Sequence, residues 1–376
     1  MDILQAKQEL DNVISLSKDK FYKPTQIAEI LFHFRNDKVN ETQRVDKSEI
    51  DFDKIRKNSK KWRNNISSQL VGRNSNSSSR FEDNLFEKNA ITEDGLAELI
   101  SYNNEKNGVI EAYIYNEFKK KYKLLNEAFD SCKKSSNHKF YVKEFIESFV
   151  DEKTTKGISG KIYEIVVYAL LSSLTECLKI KVNLTIPVRE WGLLSQIPIF
   201  SEKIMRIPDH SINELHPLSN SETSEFFASS HIGKFYRVGV TNAADRGVDM
   251  YANWGCLVQV KNSKLSLKLA EAIINEVTSD NVVIVCRSAT DSVVESIMQQ
   301  GWSGRIQSIV TQKELEELYE QALRGDYSNL LGQKLLDRLV ESILAEFPSA
   351  GGFPSIILDR NYPSLDIELE AFQGLE

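Results

Sequence analysis

Apolar residues recur at helical spacing through the first part of the chain. In KPTQIAEILFHFR this spacing predicts a helix that starts near Pro24. In NSKKWRNNISSQLVG it predicts a second helix, with Ser59 as its N-cap and Gly72 at its end. The Ser/Asn-rich segment RNSNSSSRFEDNLF follows and predicts a turn or short hairpin. From about Asn104 to Asp151 the pattern is again helical and strongly charged.

The pattern changes after Ile158 to one that predicts strands alternating with helices. An apolar helix over about 160–178 leads into the strand LKIKVNLTIPV, and a long irregular stretch with three prolines follows. Three strands come next, FYRVGV, VDMYAN and CLVQVKN, and then the helix KLSLKLAEAIINEV. The strand NVVIVC, a further helix and the strand IQSIV complete the series, and helices continue from Gln312 to about Phe347. Continuous apolar strands between helices predict a sheet covered on both faces, so the expected fold class is α/β, of the mixed α+β kind.

Basic residues are concentrated in the predicted second helix and the segment after it. Eight basic residues and no acidic one lie between Lys54 and Arg80, although the net charge of the chain is −7. A basic helix followed by a Ser/Asn-rich hairpin is typical of a winged helix-turn-helix, in which the helix enters a DNA groove. The alternative is a solvated helix face. The predicted DNA contacts in this part are Lys60, Lys61, Arg63, Arg73 and Arg80.

Four parts are therefore predicted along the chain. They are a helical, winged-helix-like DNA-recognition domain over residues 1–100, a helical connector over 101–155, an α/β catalytic domain over 156–312, and a helical region with a tail over 313–376.

Composition narrows the compartment and the class of site. The four cysteines are far apart and form no CxxC pair, which argues against a zinc site or a disulfide framework. The most apolar run, IYEIVVYALLSSL, is short and carries a glutamate, so we expect no membrane partner and a cytoplasmic bacterial protein. The five histidines show no HxxxH spacing, which disfavours a histidine-metal nuclease.

The segment RGVDMYANWGCLVQVKN contains the residues that carry candidate chemistry. Phosphodiester hydrolysis with Mg²⁺ needs a carboxylate ligand, a second ligand about one strand away, and a lysine that orients water and offsets negative charge. Nine residues separate Asp249 from Gln259, and Lys261 follows two residues later. A tight turn at 253–255 would place Asp249 beside Gln259 and Lys261, which share one strand face. The alternative is that Asp249 merely starts a strand and Lys261 merely ends one.

Gln259 departs from this pattern, because a second ligand of Mg²⁺ is expected to be Asp or Glu. A neutral amide binds Mg²⁺ less strongly, so a further acid is expected. Glu164, inside the apolar helix, is the candidate third ligand, because a buried carboxylate without a cation is costly. The alternative is that Glu164 pairs with a core lysine, a tyrosine or a backbone donor; Asp245 is a weaker candidate.

Two polar residues just upstream of Asp249 are candidate DNA contacts. Asn242 and Arg246 lie in VTNAADRGVD, and arginine and asparagine are the common readers of guanine and adenine. An ordinary polar turn is the alternative.

Several segments together carry a family resemblance that spans the chain from near residue 1 to about residue 350. They are YKPTQIAEILFHFR, SKKWRNNISSQLVGR, SSSRFEDNLF, EAYIYNEF, KIYEIVVYAL, YRVGVTNAADRGVDM and RIQSIVT. They resemble the HaeII family of type II restriction endonucleases, and the order helix, strands, helix, strand resembles the PD-(D/E)XK nuclease core. The resemblance implies Mg²⁺-dependent cleavage of double-stranded DNA at a short palindrome, RGCGCY in that family, cut near its 3′ side. By position it implies that Asp249, Gln259 and Lys261 are catalytic, and the QxK variant also looks like that of Mrr-type nucleases.

Three functions therefore remain open at the level of sequence. The first is a type II restriction enzyme, expected to act as a homodimer on its palindrome and to work alongside a cognate DNA methyltransferase. The second is an Mrr-like nuclease that cuts only modified DNA. The third is a winged-helix regulator that binds DNA without cutting it.

Overall fold

The computed structural model describes most of the chain, with gaps that include the segment after Gly72 and the approach to Asp249. The described residues are 1–17, 21–37, 45, 47–72, 85, 91–134, 139–149, 156–187, 226–238, 248–277, 279–299, 304–360, 362 and 366–374. Over these residues the fold is mixed α/β and mostly helical. It forms two compact units, one made of Met1–Ile165 with Leu336–Glu376 and the other of Val166–Leu335.

Helices are present where the sequence predicted them, whereas the first helix and the two helices after Phe347 were not predicted. They are α1 (Ile3–Ser15), α2 (Tyr22–Asp37), α3 (Phe52–Val71), α4 (Glu93–Glu105), α5 (Val109–Lys121), α6 (Lys123–Lys134), α7 (Val142–Glu147), α8 (Lys156–Cys177), α9 (Leu267–Glu276), α10 (Asp291–Gln299), α11 (Gln312–Leu323), α12 (Ser328–Glu346), α13 (Ser355–Leu358) and α14 (Asp366–Gln373). Side-chain caps fix several of the starts, such as the capping box of Asp2 with Gln5 on α1 and that of Thr311 with Glu314 on α11.

The C-terminal segment belongs with the N-terminal helices, whereas the sequence predicted a separate C-terminal region. Phe372 of α14 is fully buried and its ring lies 5.2 Å from that of Tyr113 on α5. Phe353 likewise packs 5.9 Å from Phe118. These aromatic contacts bury apolar surface that the N-terminal helices alone would leave exposed, which explains the grouping.

The start of α3 differs from the prediction. The helix begins at Phe52, where the Asp51 side chain accepts a hydrogen bond from the Lys54 amide. Ser59 is therefore not the N-cap: it is buried in mid-helix, and its hydroxyl accepts a hydrogen bond from Gln26 of α2 at 2.9 Å. The predicted end is confirmed, since Gly72 has φ of +70°. The predicted hairpin after it lies outside the described residues, apart from Leu85.

A mixed five-stranded sheet lies in the second unit. Its strands are β3 (Phe235–Arg237), β4 (Met250–Ala252), β5 (Leu257–Lys264), β6 (Val282–Ser288) and β7 (Ile306–Thr311), in the order β3-β4-β5-β6-β7. Strands β3, β4 and β5 are antiparallel, whereas β5, β6 and β7 are parallel. The alternation of apolar strands with helices that predicted this sheet is confirmed for these strands.

A separate two-stranded sheet was not predicted. The expected strand LKIKVNLTIPV forms β1 (Lys181–Pro187), but it pairs antiparallel with β2 (Phe226–Ile232) and not with the main sheet. The residues of β2 were predicted to be irregular, because FFASSHI lacks the continuous apolar character of the other strands.

One hydrophobic cluster supports the candidate site of the second unit. It joins β6 to helices α9 and α10 through Ile284, Ile273 and Ile297, all of them buried, and Leu257 of β5 packs against it. On another part of the sheet, α11 contacts β6 and β7, and its Tyr319 hydroxyl donates to the Val166 carbonyl at 2.8 Å. The strand order makes β5 the central strand of the sheet, between β4 and β6.

Among the described helices, the segment Ile158–Cys177 is long and apolar enough to cross a membrane. Most of it is buried within the protein, as in the core helix of a soluble protein, so it is weak support for a membrane span.

Candidate active site

A tight hairpin holds the candidate catalytic residues. The Gly255 amide donates to the Ala252 carbonyl at 3.0 Å, and the Ala252 amide donates to the Cys256 carbonyl at 2.8 Å. Gly255 has φ of +90°, which side chains rarely adopt, so glycine suits this turn. The predicted turn is confirmed, and it sets the register of β4 against β5.

Asp249 lies at the start of this hairpin with its carboxylate turned to β5. Met250 pairs with Val258, so the register continued by one residue puts Asp249 opposite Gln259. Its Oδ2 accepts a hydrogen bond from the Val260 amide at 2.7 Å, and its carbonyl accepts one from the Val238 amide at 2.9 Å. This anchoring fixes the orientation of the carboxylate. Sequence reasoning missed the Val260 amide, because a backbone donor leaves no mark in the residue pattern.

Gln259 is a buried side chain whose carbonyl oxygen has no partner among the described residues. It is 3% exposed, and its Oε1 accepts no hydrogen bond from any described residue. A buried polar atom left unpaired costs about 1–3 kcal/mol, so such atoms in folded proteins generally serve a ligand or a mechanism. An amide oxygen beside a carboxylate is a hard-oxygen donor set of the kind that suits Mg²⁺. The residues present therefore fit a divalent cation on this observation.

Lys261 shares the strand face of Gln259, as predicted. Val258 and Val260, which alternate with them, are buried, and Lys261 is half-buried with no ion pair to any described residue. The pairing of β5 with β6 shifts register between Lys261 and Lys264, the kind of irregularity that re-aims side chains near active sites. The ammonium group is thus not used in an internal salt bridge within the described part of the chain.

Cys286 of β6 is the cross-strand neighbour of Lys261. Burial, and then the charge of Glu314, raise the pKa of its thiol to about 11. The thiol is therefore neutral near pH 7 and supplies neither a nucleophile nor a counter-ion for Lys261.

Glu164 has a partner of its own. Its carboxylate accepts hydrogen bonds from the Lys161 ammonium at 2.7 and 2.9 Å, one turn earlier on α8. This is the pairing with a lysine that the sequence analysis held open as the alternative. Glu164 belongs to the first unit and Asp249 to the second, so the third-ligand role of Glu164 stays a prediction.

The predicted DNA-contact residues fall in three situations. Lys61 of α3 is exposed and Lys60 is half-buried. Arg63 is buried: its Nη1 donates to Gln26 at 3.1 Å, and its guanidinium lies 5.4 Å from the ring centroid of Tyr22. Four further candidates lie outside the described residues, namely Arg73, Arg80, Asn242 and Arg246, as does Asp245.

The described residues offer few acidic ligands for a metal ion. No group of three or more His, Cys, Asp or Glu residues that could hold an ion occurs within the described part of the chain. Asp249 and Gln259 are therefore the donor pair that the described hairpin offers.

Comparison with known proteins decides the family. The family model for the HaeII restriction endonuclease matches residues 6–362. This chain belongs to the HaeII restriction endonuclease family. It is 37% identical to the type II restriction enzyme HaeII of Haemophilus aegyptius over 371 residues, covering 98% of this chain and 99% of the relative. It is 40% identical to the type II restriction enzyme NgoBI of Neisseria gonorrhoeae over 319 residues, covering 84% of each chain.

Membership in this family makes the chain a relative of site-specific deoxyribonucleases, as the resemblance of its segments implied. No solved structure matches the chain significantly.

Proposed function

We propose that this chain is a type II restriction endonuclease of the PD-(D/E)XK class that uses Mg²⁺ and the residues Asp249, Gln259 and Lys261. The observation that carries the proposal is the unpartnered buried oxygen of Gln259, opposite an anchored carboxylate and on the strand face of a lysine without an ion pair among the described residues. In a chain of a restriction endonuclease family, this arrangement supports catalysis better than a structural role.

Each residue has a distinct task in the proposed mechanism. Mg²⁺, when bound, would stabilise the negative charge that develops on the scissile phosphate. Asp249 and Gln259 would hold the ion through their oxygens, and the Val260 amide keeps the Asp249 carboxylate in place. Lys261 would orient the attacking water and offset charge on the pentavalent transition state through its ammonium group.

Gln259 makes the proposed site less acidic than the usual pattern, so a third oxygen ligand is expected. Glu164 remains the proposed third ligand, although it must then exchange or share its ion pair with Lys161. Replacing Glu164 by Gln separates the two roles. If Glu164 is a metal ligand, the Mg²⁺ concentration for half-maximal cleavage should rise at least about tenfold in the Glu164→Gln variant. An unchanged Mg²⁺ requirement would assign Glu164 to its ion pair alone.

The substrate we propose is double-stranded DNA with a short palindromic site, and RGCGCY is the candidate from the family resemblance. A palindrome contains two symmetric scissile bonds, which supports a homodimer with two active sites. A cognate methyltransferase would protect the host genome, and the bacterial cytoplasm is the proposed location. Lys60 and Lys61 remain proposed phosphate contacts, whereas burial of Arg63 against Gln26 favours a packing role for that side chain.

Digestion of unmethylated phage DNA with Mg²⁺, followed by sequencing of the fragment ends, tests this function. The proposal predicts that the ends share one short palindrome and that no cleavage occurs when EDTA replaces Mg²⁺. Ends scattered over unrelated sequences, or cleavage in EDTA, would contradict it.

The glutamine at position 259 also favours a second candidate, an Mrr-like nuclease that cuts only modified DNA. Methylated and unmethylated preparations of one plasmid, digested side by side, distinguish the two. Cleavage of the methylated plasmid alone would replace the first proposal by the second. Binding without cleavage of either plasmid would indicate the non-catalytic regulator instead.

A further inference from the structure

One face of α3 carries a continuous row of exposed polar residues. They recur at intervals of three and four residues, which places them on one side of a helix. The row consists of Lys54, Lys57, Lys61, Asn65 and Ser68, and each of them is exposed. We call these five residues the polar face of α3. Lysines occupy its N-terminal half, and neutral hydrogen-bonding side chains occupy its C-terminal half.

The opposite face of α3 is fixed to α2 by specific contacts. Ile55, Ile66 and Leu70 are fully buried there. Gln26 joins the two helices by donating to Ser59 at 2.9 Å and accepting from Arg63 at 3.1 Å. Such directional hydrogen bonds hold the helix in one rotation about its axis, so the polar face is presented in a fixed orientation.

Two lysines of the polar face carry charge that is not compensated within the described part of the unit. On α6, Lys134 pairs with Asp130 at 2.9 Å, and Lys123 lies 3.7 Å from Glu127. In contrast, Lys57 and Lys61 form no ion pair with any described residue. They are spaced i,i+4, where like charges destabilise a helix. An anionic partner would offset this repulsion between the two lysines. On a face that contacts only solvent, the repulsion would remain a cost without a benefit.

The neighbouring arginine of α3 shows the contrast within the same helix. Arg56 lies away from the polar face, and it is bound to both Asp53 and Glu93. These two partners offset the charge of Arg56, so it offers less uncompensated positive charge to a partner than Lys57 and Lys61 do. Apart from the half-buried Lys60, the positive charge that α3 offers to a partner therefore lies mainly on the polar face.

We propose that the polar face of α3 contacts the DNA substrate, with Lys57 and Lys61 on phosphates and with Asn65 as a residue that determines sequence specificity. The polar face would span about 12 Å from Lys57 to Asn65 at 1.5 Å per residue, close to the width of the major groove. Lysine supplies sequence-independent phosphate contacts, and the asparagine amide reads adenine edges through paired hydrogen bonds. Ser68, one turn beyond Asn65, extends the row of hydrogen-bonding groups. This inference rests on the proposed site-specific cleavage of duplex DNA.

The lysines are tested by the salt dependence of equilibrium binding to a duplex in EDTA, where no cleavage is expected. The double variant Lys57→Ala with Lys61→Ala should make the negative slope of log affinity against log salt shallower by about two, close to one for each phosphate that is no longer neutralised. The control is Lys123→Ala with Lys134→Ala, which removes the same charge from α6 and should leave the slope nearly unchanged. Equal slopes for both double variants would overturn the phosphate contacts.

Asn65 is tested by the ratio of kcat/KM on the mapped target to kcat/KM on duplexes with one altered base pair. Asn65→Ala should reduce this ratio at least about fivefold at one base-pair position, while Asn36→Ala, an exposed asparagine of α2, should leave it unchanged. An unchanged ratio for Asn65→Ala at every position would refute the specificity role. Failure of the catalytic proposal would look different, because it concerns cleavage of all duplexes together and not their ratio.

Discussion

Two polar clusters in this protein make opposite use of buried charge and hydrogen-bonding groups. The first, which we call the helical cluster, lies among the helices of the first unit. There Arg360 donates to Glu29 at 2.7 and 2.9 Å, and Arg35 donates to Glu111 at 2.8 and 2.9 Å. The second is the β4–β5 hairpin, where the buried oxygen of Gln259 has no partner among the described residues.

In the helical cluster nearly every group is satisfied. Two carboxylates face two guanidinium groups. In addition, the Tyr115 hydroxyl donates a hydrogen bond to Glu29 at 2.6 Å, and the Tyr362 hydroxyl donates one to Glu111 at 2.8 Å. Burial, and then the charge of Glu29, raise the pKa of Tyr115 well above its ordinary value, so its hydroxyl stays a donor. The Arg360 guanidinium also stacks on Phe32, 3.5 Å from the ring centroid, although its Nε has no hydrogen-bond partner within the described part of the chain.

The two clusters differ in whether their polar groups are paired within the protein, and this difference indicates which cluster serves stability and which serves function. A closed network of paired charges ties the C-terminal segment to α2 and α5, and it has little capacity left for a ligand. The hairpin keeps an oxygen unpaired and a lysine without an ion pair among the described residues, which costs stability and leaves both groups for a substrate or an ion. Changes in the helical cluster should therefore affect folding, and changes in the hairpin should affect cleavage.

The largest effect is expected at Asp249. Asp249→Asn keeps an oxygen that can accept from the Val260 amide but removes the negative charge, so cleavage should fall at least about 100-fold. The free energy of unfolding, from urea denaturation, should change by less than about 1 kcal/mol. A large loss of stability with retained cleavage would erase the proposed contrast between the clusters.

The next effect concerns the helical cluster. Arg360→Met leaves Glu29 buried without its counter-charge, so the free energy of unfolding should fall by about 3–5 kcal/mol. Arg338→Met removes a partly exposed arginine from the same unit and should cost about 1 kcal/mol or less. Under conditions where Arg360→Met remains folded, its single-turnover cleavage rate should match the wild type. An equal cost for the two variants would show that the buried network contributes no special stability.

A smaller and more revealing effect is expected at Gln259. Gln259→Met fills the same space without an orphaned oxygen, so the unfolding free energy should stay the same or rise by about 1 kcal/mol, while cleavage is abolished. Thermal and urea denaturation without metal measure the unfolding free energy, and plasmid digestion measures cleavage. A clear loss of stability would indicate that the oxygen has a structural partner and is not reserved for an ion.

The hairpin could be predicted from sequence because its determinants are local. Strand alternation fixed the shared face of Gln259 and Lys261, and the turn at Gly255 brought Asp249 to them within a few residues. The helical cluster could not be predicted, because Arg360 and Glu29 are 331 positions apart. The burial of Arg63 has the same cause, since its partner Gln26 lies on another helix and a basic residue in a basic run looks exposed.

Prediction also failed where pairing depended on a distant strand. β1 pairs with β2, which lies beyond the proline-containing stretch in the sequence. The residues of neither segment specify this partner. The proposed polar face of α3 was only partly visible. Its lysines stood out by charge, but which of them are exposed depends on the rotation of the helix against α2.

The central claim, that the hairpin is the cleavage site, is tested most directly by Lys261→Ala beside Lys264→Ala. Lys264 lies on the same strand three residues later and is exposed, so it controls for loss of one positive charge from β5. Single-turnover cleavage of the mapped target should fall at least about 100-fold for Lys261→Ala and stay near the wild-type rate for Lys264→Ala, with DNA binding nearly intact in both. Wild-type cleavage by Lys261→Ala would contradict the assignment of the site.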